Sequence, residues 1–122
     1  MKKIVTIDFD HTLKFETGET NEPTIKQIKA LSNCILFVVT SRMFSDESLT
    51  EIKLFLSEHE IEVEKIIHTN GNSKLEALIS LKSELHFEDD IWAIEDLKRD
   101  LPNIQIVNCF NLKKWQEYFQ GL

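Results

Sequence analysis

The chain has 122 residues, 42% of them hydrophobic and 29% charged, which suits one soluble domain (1–122) with a real core and leaves no room for two. A net charge of −7 and a pI near 5.1 argue against a broad electrostatic grip on nucleic acid or an anionic membrane. No apolar run approaches the ~18 residues of a spanning helix, MKKIVTIDFD reaches charge before a signal-peptide core can form, and Cys34 and Cys109 lie in apolar runs that suit reduced core thiols, so a cytoplasmic protein is expected.

Residues 3–9 form the first expected strand, apolar almost throughout, as a strand covered on both faces requires. Residues 14–22 are polar with one glycine and read as a short loop or small hairpin. Asn21 or Glu22 opens a helix with Pro23 in its first turn and a stripe of Ile25, Ile28 and Leu31. Cys34–Thr40 is the most hydrophobic run and reads as a central strand. Ser45 or Asp46 caps the next helix, which buries Leu49, Ile52, Phe55 and Leu56. Ile61–His68, with Val63, Ile66 and Ile67, reads as a third, shorter strand, and Asn70–Gly71–Asn72 as a turn. Ser73 and Glu76 have capping-box spacing ahead of a helix carried by Leu75, Leu78, Ile79 and Leu85. Ile91–Ile94 reads as a fourth strand ended by Glu95 and Asp96, and Ile104–Val107 as a fifth. Leu112, Trp115 and Phe119 stripe a C-terminal helix, where they are expected to pack. Alternating strands and helices point to an α/β domain with three Rossmann-like layers and a central, mainly parallel five-stranded sheet.

In a parallel sheet, ligands bind beyond the carboxyl ends of the strands. Polar groups follow the apolar runs there: Asp8, Asp10 and Thr12; Thr40, Ser41 and Arg42; Lys74; and Glu95 with Asp96. Asp8, Asp10 and Asp96 offer hard oxygen ligands of the kind Mg²⁺ takes together with water and a substrate phosphate. The four histidines lack paired zinc-ligand spacing; His59, His68 and His86 read as ordinary surface or loop positions. Lys74, in the first turn of a helix, opposes the helix dipole unless an anion lies before it. Glu88, Asp89 and Asp90 read as surface charges at the far end of the fourth strand, and Trp92 as core.

Asp8-Phe9-Asp10-His11-Thr12-Leu13 resembles the D-x-D-x-T signature of the haloacid dehalogenase superfamily. The later order also fits: a Thr ending the second strand, a Lys at a helix start, an acidic pair after another strand. The resemblance implies an Mg²⁺-dependent phosphomonoester hydrolase. Asp8 would be the nucleophile that forms an aspartyl-phosphate, and Asp10 the general acid and base. Thr40 and Lys74 would hold the phosphoryl oxygens, and Mg²⁺ would lie between Asp8, the Asp10 carbonyl and Asp96. Thr12 would order the loop; with Ser41, Arg42 and His11 it completes the set expected near substrate, and Lys14 is a further candidate contact.

Two positions depart from the family's commonest form: His11 stands where glycine is usual, and Glu95–Asp96 where the pair commonly reads Asp-Asp or Gly-Asp. Asp100 is a second outer carboxylate in this reading. The intervals between motifs leave no room for a large cap domain. Residues 14–20, a neighbouring subunit in a homo-oligomer, or the substrate itself would then close the site. A phosphorylated small molecule is the expected substrate. A nucleic-acid-end phosphatase and a non-catalytic binding protein of the same fold are the alternatives. A signalling receiver domain fits less well, because no aspartate follows the third strand.

Overall fold

The computed structural model describes residues 2–122. Its elements alternate strictly: β1 (Lys3–Ile7), α1 (Glu22–Ala30), β2 (Cys34–Thr40), α2 (Asp46–Glu58), β3 (Lys65–His68), α3 (Leu75–Leu81), β4 (Leu85–Glu88), α4 (Ile91–Asp100), β5 (Gln105–Asn108) and α5 (Leu112–Gln120). The five strands form one parallel sheet in the order β3-β2-β1-β4-β5. Chain order runs outward from β1 through β2 to β3, then resumes on the other side with β4 and β5. The direction of winding therefore reverses between β1 and β4, and a crevice opens there beyond the strand ends.

Side chains alternate across the sheet, which carries an apolar core on each face. Val5, Ile7, Val38, Leu85 and Phe87 pack with Ile25 and Ile28 of α1 and Ile52, Phe55 and Leu56 of α2. On the other face Val39 packs with Leu78 of α3 and Leu97 of α4. The central strands are polar on that second face: Thr6 and His86 are fully buried there, and Glu88 nearly so. Among the described residues, no buried side-chain nitrogen or oxygen lacks a partner, and no helix is long and apolar enough to cross a membrane.

Several expectations hold. Pro23 lies in the first turn of α1, Ser45 caps α2 by accepting from the Ser48 amide, and residues 14–20 form a small hairpin closed by a Lys14–Thr20 bridge. No cap domain interrupts the alternation.

The fourth strand is displaced. Ile91–Ile94 is the start of α4, and the strand is Leu85–Glu88. Leu85 belongs to that strand and not to the preceding helix. Asp90 is the reason for the boundary: its carboxylate accepts from the Trp92 and Ala93 amides and starts a helix there. Ile94 and Leu97 then bury the inner face of α4, while Trp92, expected in the core, is 77% exposed. Ser73 and Glu76 do not form a capping box; Lys74 occupies the cap position of α3, and the Ser73 hydroxyl accepts from the Leu75 amide. The α5 stripe does not pack as expected: no residue of that helix is buried, and Leu112 and Phe119 are exposed.

Candidate functional site

The crevice between β1 and β4 is lined with carboxylates. Asp8 follows β1, and its amide donates to the Phe87 carbonyl of β4 at 3.0 Å, which locks the two strand ends together. Glu88 ends β4 and Asp89 begins the turn into α4. One oxygen from each of Asp8, Glu88 and Asp89 lies within 4.8 Å of the other two, and all three residues are buried.

Lys74 reaches into this cluster from the start of α3. Its Nζ donates to Asp8 Oδ1 and to Glu88 Oε1, both at 2.7 Å. The Thr12 hydroxyl lies on the other side of Asp8, 3.0 Å from Asp8 Oδ2 and 3.2 Å from Asp89 Oδ1. Behind Glu88 a buried polar chain runs across the sheet. His86 Nε2 is 3.0 Å from Glu88 Oε1, His86 Nδ1 is 2.7 Å from the Thr6 hydroxyl, and Thr6 meets the Ser83 hydroxyl at 2.8 Å. A carboxylate accepts only, so His86 donates to Glu88 through Nε2.

These surroundings separate the carboxyl groups. Burial opposes ionisation of Glu88, but hydrogen bonding from His86 and the charge of Lys74 outweigh it and hold the group down at about 2. Asp89 has no such cation. Burial, its contact with Asp8, and the charges of Asp8 and Glu88 push it up to about 9. Asp8 is also raised, by burial first, against the pull of Lys74. Lys74 itself is held up at about 12: burial alone would lower it, but Asp8 and Glu88 win. Three carboxyl groups share one ammonium in a buried place, and burial together with this shortage of positive charge is what raises Asp8 and Asp89. All their donors are hard oxygens, which is the chemistry of a divalent cation site. The cluster therefore could hold a metal ion, with Asp89 as the acid that Lys74 does not bond and Asp8 keeping its second oxygen clear of the ammonium.

The cluster lies in a cavity of about 770 Å³ that Asp10, His11, Ser41, Trp92 and Trp115 also line. Arg42 holds both oxygens of Asp10, at 2.8 Å each, from a position over the Phe9 ring, and donates to Glu51 as well. His11 adopts a left-handed backbone, φ 64°, where glycine costs least. Its ring stacks on Trp115 at 4.0 Å and meets Glu16 at 3.1 Å.

The structure thus brings Asp8, Asp10, Lys74, Ser41 and His11 to one cavity, with Arg42 bound to Asp10. It does not bring Asp96 into the acidic cluster. Asp96 stands on α4, its side chain 63% exposed and 3.4 Å from Arg99. Asp89 occupies the place beside Asp8 that Asp96 was expected to fill, because the strand ends at Glu88 and not at Ile94. Glu95 is exposed on the same helix. Asp100 lies at its far end, paired with Arg99 and lining a different cavity. Thr12 is sealed between two carboxylates rather than open to substrate, and Lys14 pairs with Glu51. Thr40 is fully buried, its hydroxyl accepting from the Arg42 amide, while Ser41 beside it faces the cavity. Glu88, Asp89 and His86 are the residues that the sequence reading left at the surface. The helix signal of Asp90 followed by Ile91, Ile94 and Leu97 at helical spacing would have located them.

No family model and no curated protein matches this sequence. Two solved structures share the fold. The chain superposes on a chain of "Structure of the Pnkp1/Rnl/Hen1 RNA repair complex" with a TM-score of 0.71 at 16% identity, over 88% of this chain and 42% of the other. A chain of "Structure of Pnkp1/Rnl/Hen1 complex" gives 0.69 at 14% identity, over 88% and 46%. The similarity at these identities is one of fold, and this chain spans less than half the length of the chains it matches.

Proposed function

We propose that the protein is an Mg²⁺-dependent phosphomonoester hydrolase of the haloacid dehalogenase type that works through an aspartyl-phosphate on Asp8. The observation that carries this reading is the setting of Asp8: a carboxylate at the switch point of the sheet, bound to a buried lysine on one oxygen and to Thr12 on the other, with a further buried acid alongside. A structural ion pair needs no second and third carboxylate, and no cavity in front of it.

Asp8 and Asp89 would hold the ion, with the Asp10 carbonyl as a further donor by resemblance, and Glu88 would hold Lys74. When bound, Mg²⁺ supplies positive charge that lets an anionic ester approach a carboxylate. An Asp8 oxygen attacks phosphorus, the bond from phosphorus to the ester oxygen breaks, and Asp10 gives that oxygen a proton. Asp10 then takes a proton from water as the water attacks phosphorus, which releases inorganic phosphate and restores the Asp8 carboxylate. For this Asp10 exchanges one of its bonds to Arg42 for the substrate; Glu51 keeps the guanidinium in place meanwhile. Lys74, with Thr40 or Ser41, offsets charge on the phosphoryl oxygens.

Release of phosphate from an aryl phosphate tests the reading. The wild-type chain should need Mg²⁺ and lose turnover in Asp8→Asn. Absence of activity in the wild-type protein, or its survival in that variant, defeats the proposal. The fold shared with chains of an RNA repair complex favours a second reading, a phosphatase acting on nucleic-acid ends. Hydrolysis of a 3′-phosphorylated oligonucleotide, set against a panel of sugar phosphates and nucleotides, separates the two.

A further inference from the structure

The cavity in front of Asp8 is both acidic and aromatic, and the combination narrows what can fill it. Six carboxylates line it, from Asp8, Asp10, Glu88, Asp89, Asp90 and Asp96. Lys74 is the one Lys or Arg side chain among the described residues that do so, and it is already committed to Asp8 and Glu88. A polyanion finds no row of cations here to follow. One phosphoryl group at the acid cluster is as much negative charge as the mouth can accept.

The aromatic side of the cavity is made by Trp92, Phe110, Ile91, Trp115 and His11. Trp115 already stacks with His11 and with Phe119. Trp92 has no ring partner among the described residues and is 77% exposed. Its backbone is nevertheless fixed. It lies three residues after Asp89, in the first turn of α4, and its amide is held at 2.9 Å by the Asp90 cap. The turn that supplies Asp89 to the acid cluster therefore also places an exposed indole at the mouth. Phe110 and Ile91 extend the apolar surface beside it, both partly exposed. A cavity of about 770 Å³ is within the usual range for a small organic ligand.

We infer that the substrate is a nucleoside monophosphate: one phosphoryl group at Asp8 and one uncharged planar base stacked on Trp92. This deepens the hydrolase reading and rests on it. Trp92 is then a specificity residue that acts through substrate binding. Base–aromatic stacking of this kind is sequence-tolerant and contributes binding without a base-edge contact.

The 122-residue chain with Mg²⁺ is assayed on adenosine 5′-monophosphate, ribose 5-phosphate and a 3′-phosphorylated oligonucleotide. The nucleotide should be preferred over ribose 5-phosphate in kcat/KM. Trp92→Ala should reduce that preference about tenfold, mainly through KM, and Trp92→Phe should restore part of it. Binding is read separately by fluorescence. The chain has two tryptophans, so Trp115→Phe leaves Trp92 as the reporter, and adding Asp8→Asn prevents turnover. Adenosine monophosphate should quench it saturably and ribose 5-phosphate should not. Equal use of both small esters, a preference unmoved by Trp92→Ala, or better hydrolysis of the oligonucleotide overturns the inference, as does a Trp92 signal that follows protein concentration instead of nucleotide. Saturable quenching with no phosphate released from any ester supports the aromatic site and overturns the hydrolase reading instead.

Discussion

Lys74→Met removes the cation and keeps most of the side-chain volume. Lys74 is 8% exposed and bonds two carboxylates at 2.7 Å. Its pKa is raised from 10.5 to about 12, and ~1.4 kcal/mol per unit gives about 2 kcal/mol from the charged form alone. That contribution is present in full below pH 10.5 and is lost as pH rises through about 12. Removing the ammonium also strands Asp8 and Glu88 in a buried place without their partner, and breaking a buried pair in this way costs about 3–5 kcal/mol. For a domain of this size that is on the order of 10–20 °C in melting temperature. Thermal unfolding by circular dichroism, in chelator at neutral pH, measures it. Mg²⁺ should recover part of the loss by supplying positive charge to the same acids. A variant within about 0.5 kcal/mol of the wild-type protein, the range of an ordinary surface change, would refute the argument that Lys74 compensates a buried acidic cluster.

Three further outcomes follow from the same cluster. Because folding raises the Asp89 pKa from 3.8 to about 9, the folded chain keeps a proton there that the unfolded chain has released. Metal-free stability should therefore fall as pH rises across that interval, and Asp89→Asn should flatten the slope; urea midpoints between about pH 5 and pH 9 measure both. The same variant should lose most of any stabilisation by Mg²⁺, seen in melting temperature with and without the ion. His86→Phe leaves Glu88 and Thr6 each short of a partner and should cost about 1–3 kcal/mol in chemical denaturation; an unchanged midpoint would show that the buried chain behind Glu88 contributes nothing.

The sheet was legible because β1 and β2 are long apolar runs, and because Asp8 and Asp10 sit where a parallel sheet keeps its chemistry. The second half of the site was misplaced for a specific reason. Glu-Asp occurs twice, at Glu88–Asp89 and Glu95–Asp96, and the apolar run Ile91–Ile94 just ahead of the second copy made that copy look like the end of a strand. A short apolar run reads equally as strand or helix. The actual strand, Leu-His-Phe-Glu, is disguised because its second face carries the polar chain of His86 and Glu88. Residues buried as partners in a network look like surface residues until the partners are known, and Thr6 lies on another strand 80 positions from His86 while Lys74 reaches Glu88 from the start of α3. The pairing of Asp10 with Arg42 was hidden in the same way, since only the packing of β2 beside β1 brings them together.

Covalent capture tests the central claim most directly. The wild-type chain turning over an aryl phosphate with Mg²⁺ is quenched in acid, reduced with borohydride and digested, and the peptides are read by tandem mass spectrometry. Borohydride reduces the acyl carbon of an aspartyl-phosphate to the alcohol and expels phosphate, so homoserine should appear at position 8, nowhere else, and not in Asp8→Asn. Turnover without homoserine at position 8, or the same product elsewhere in the chain, would contradict Asp8 as the nucleophile.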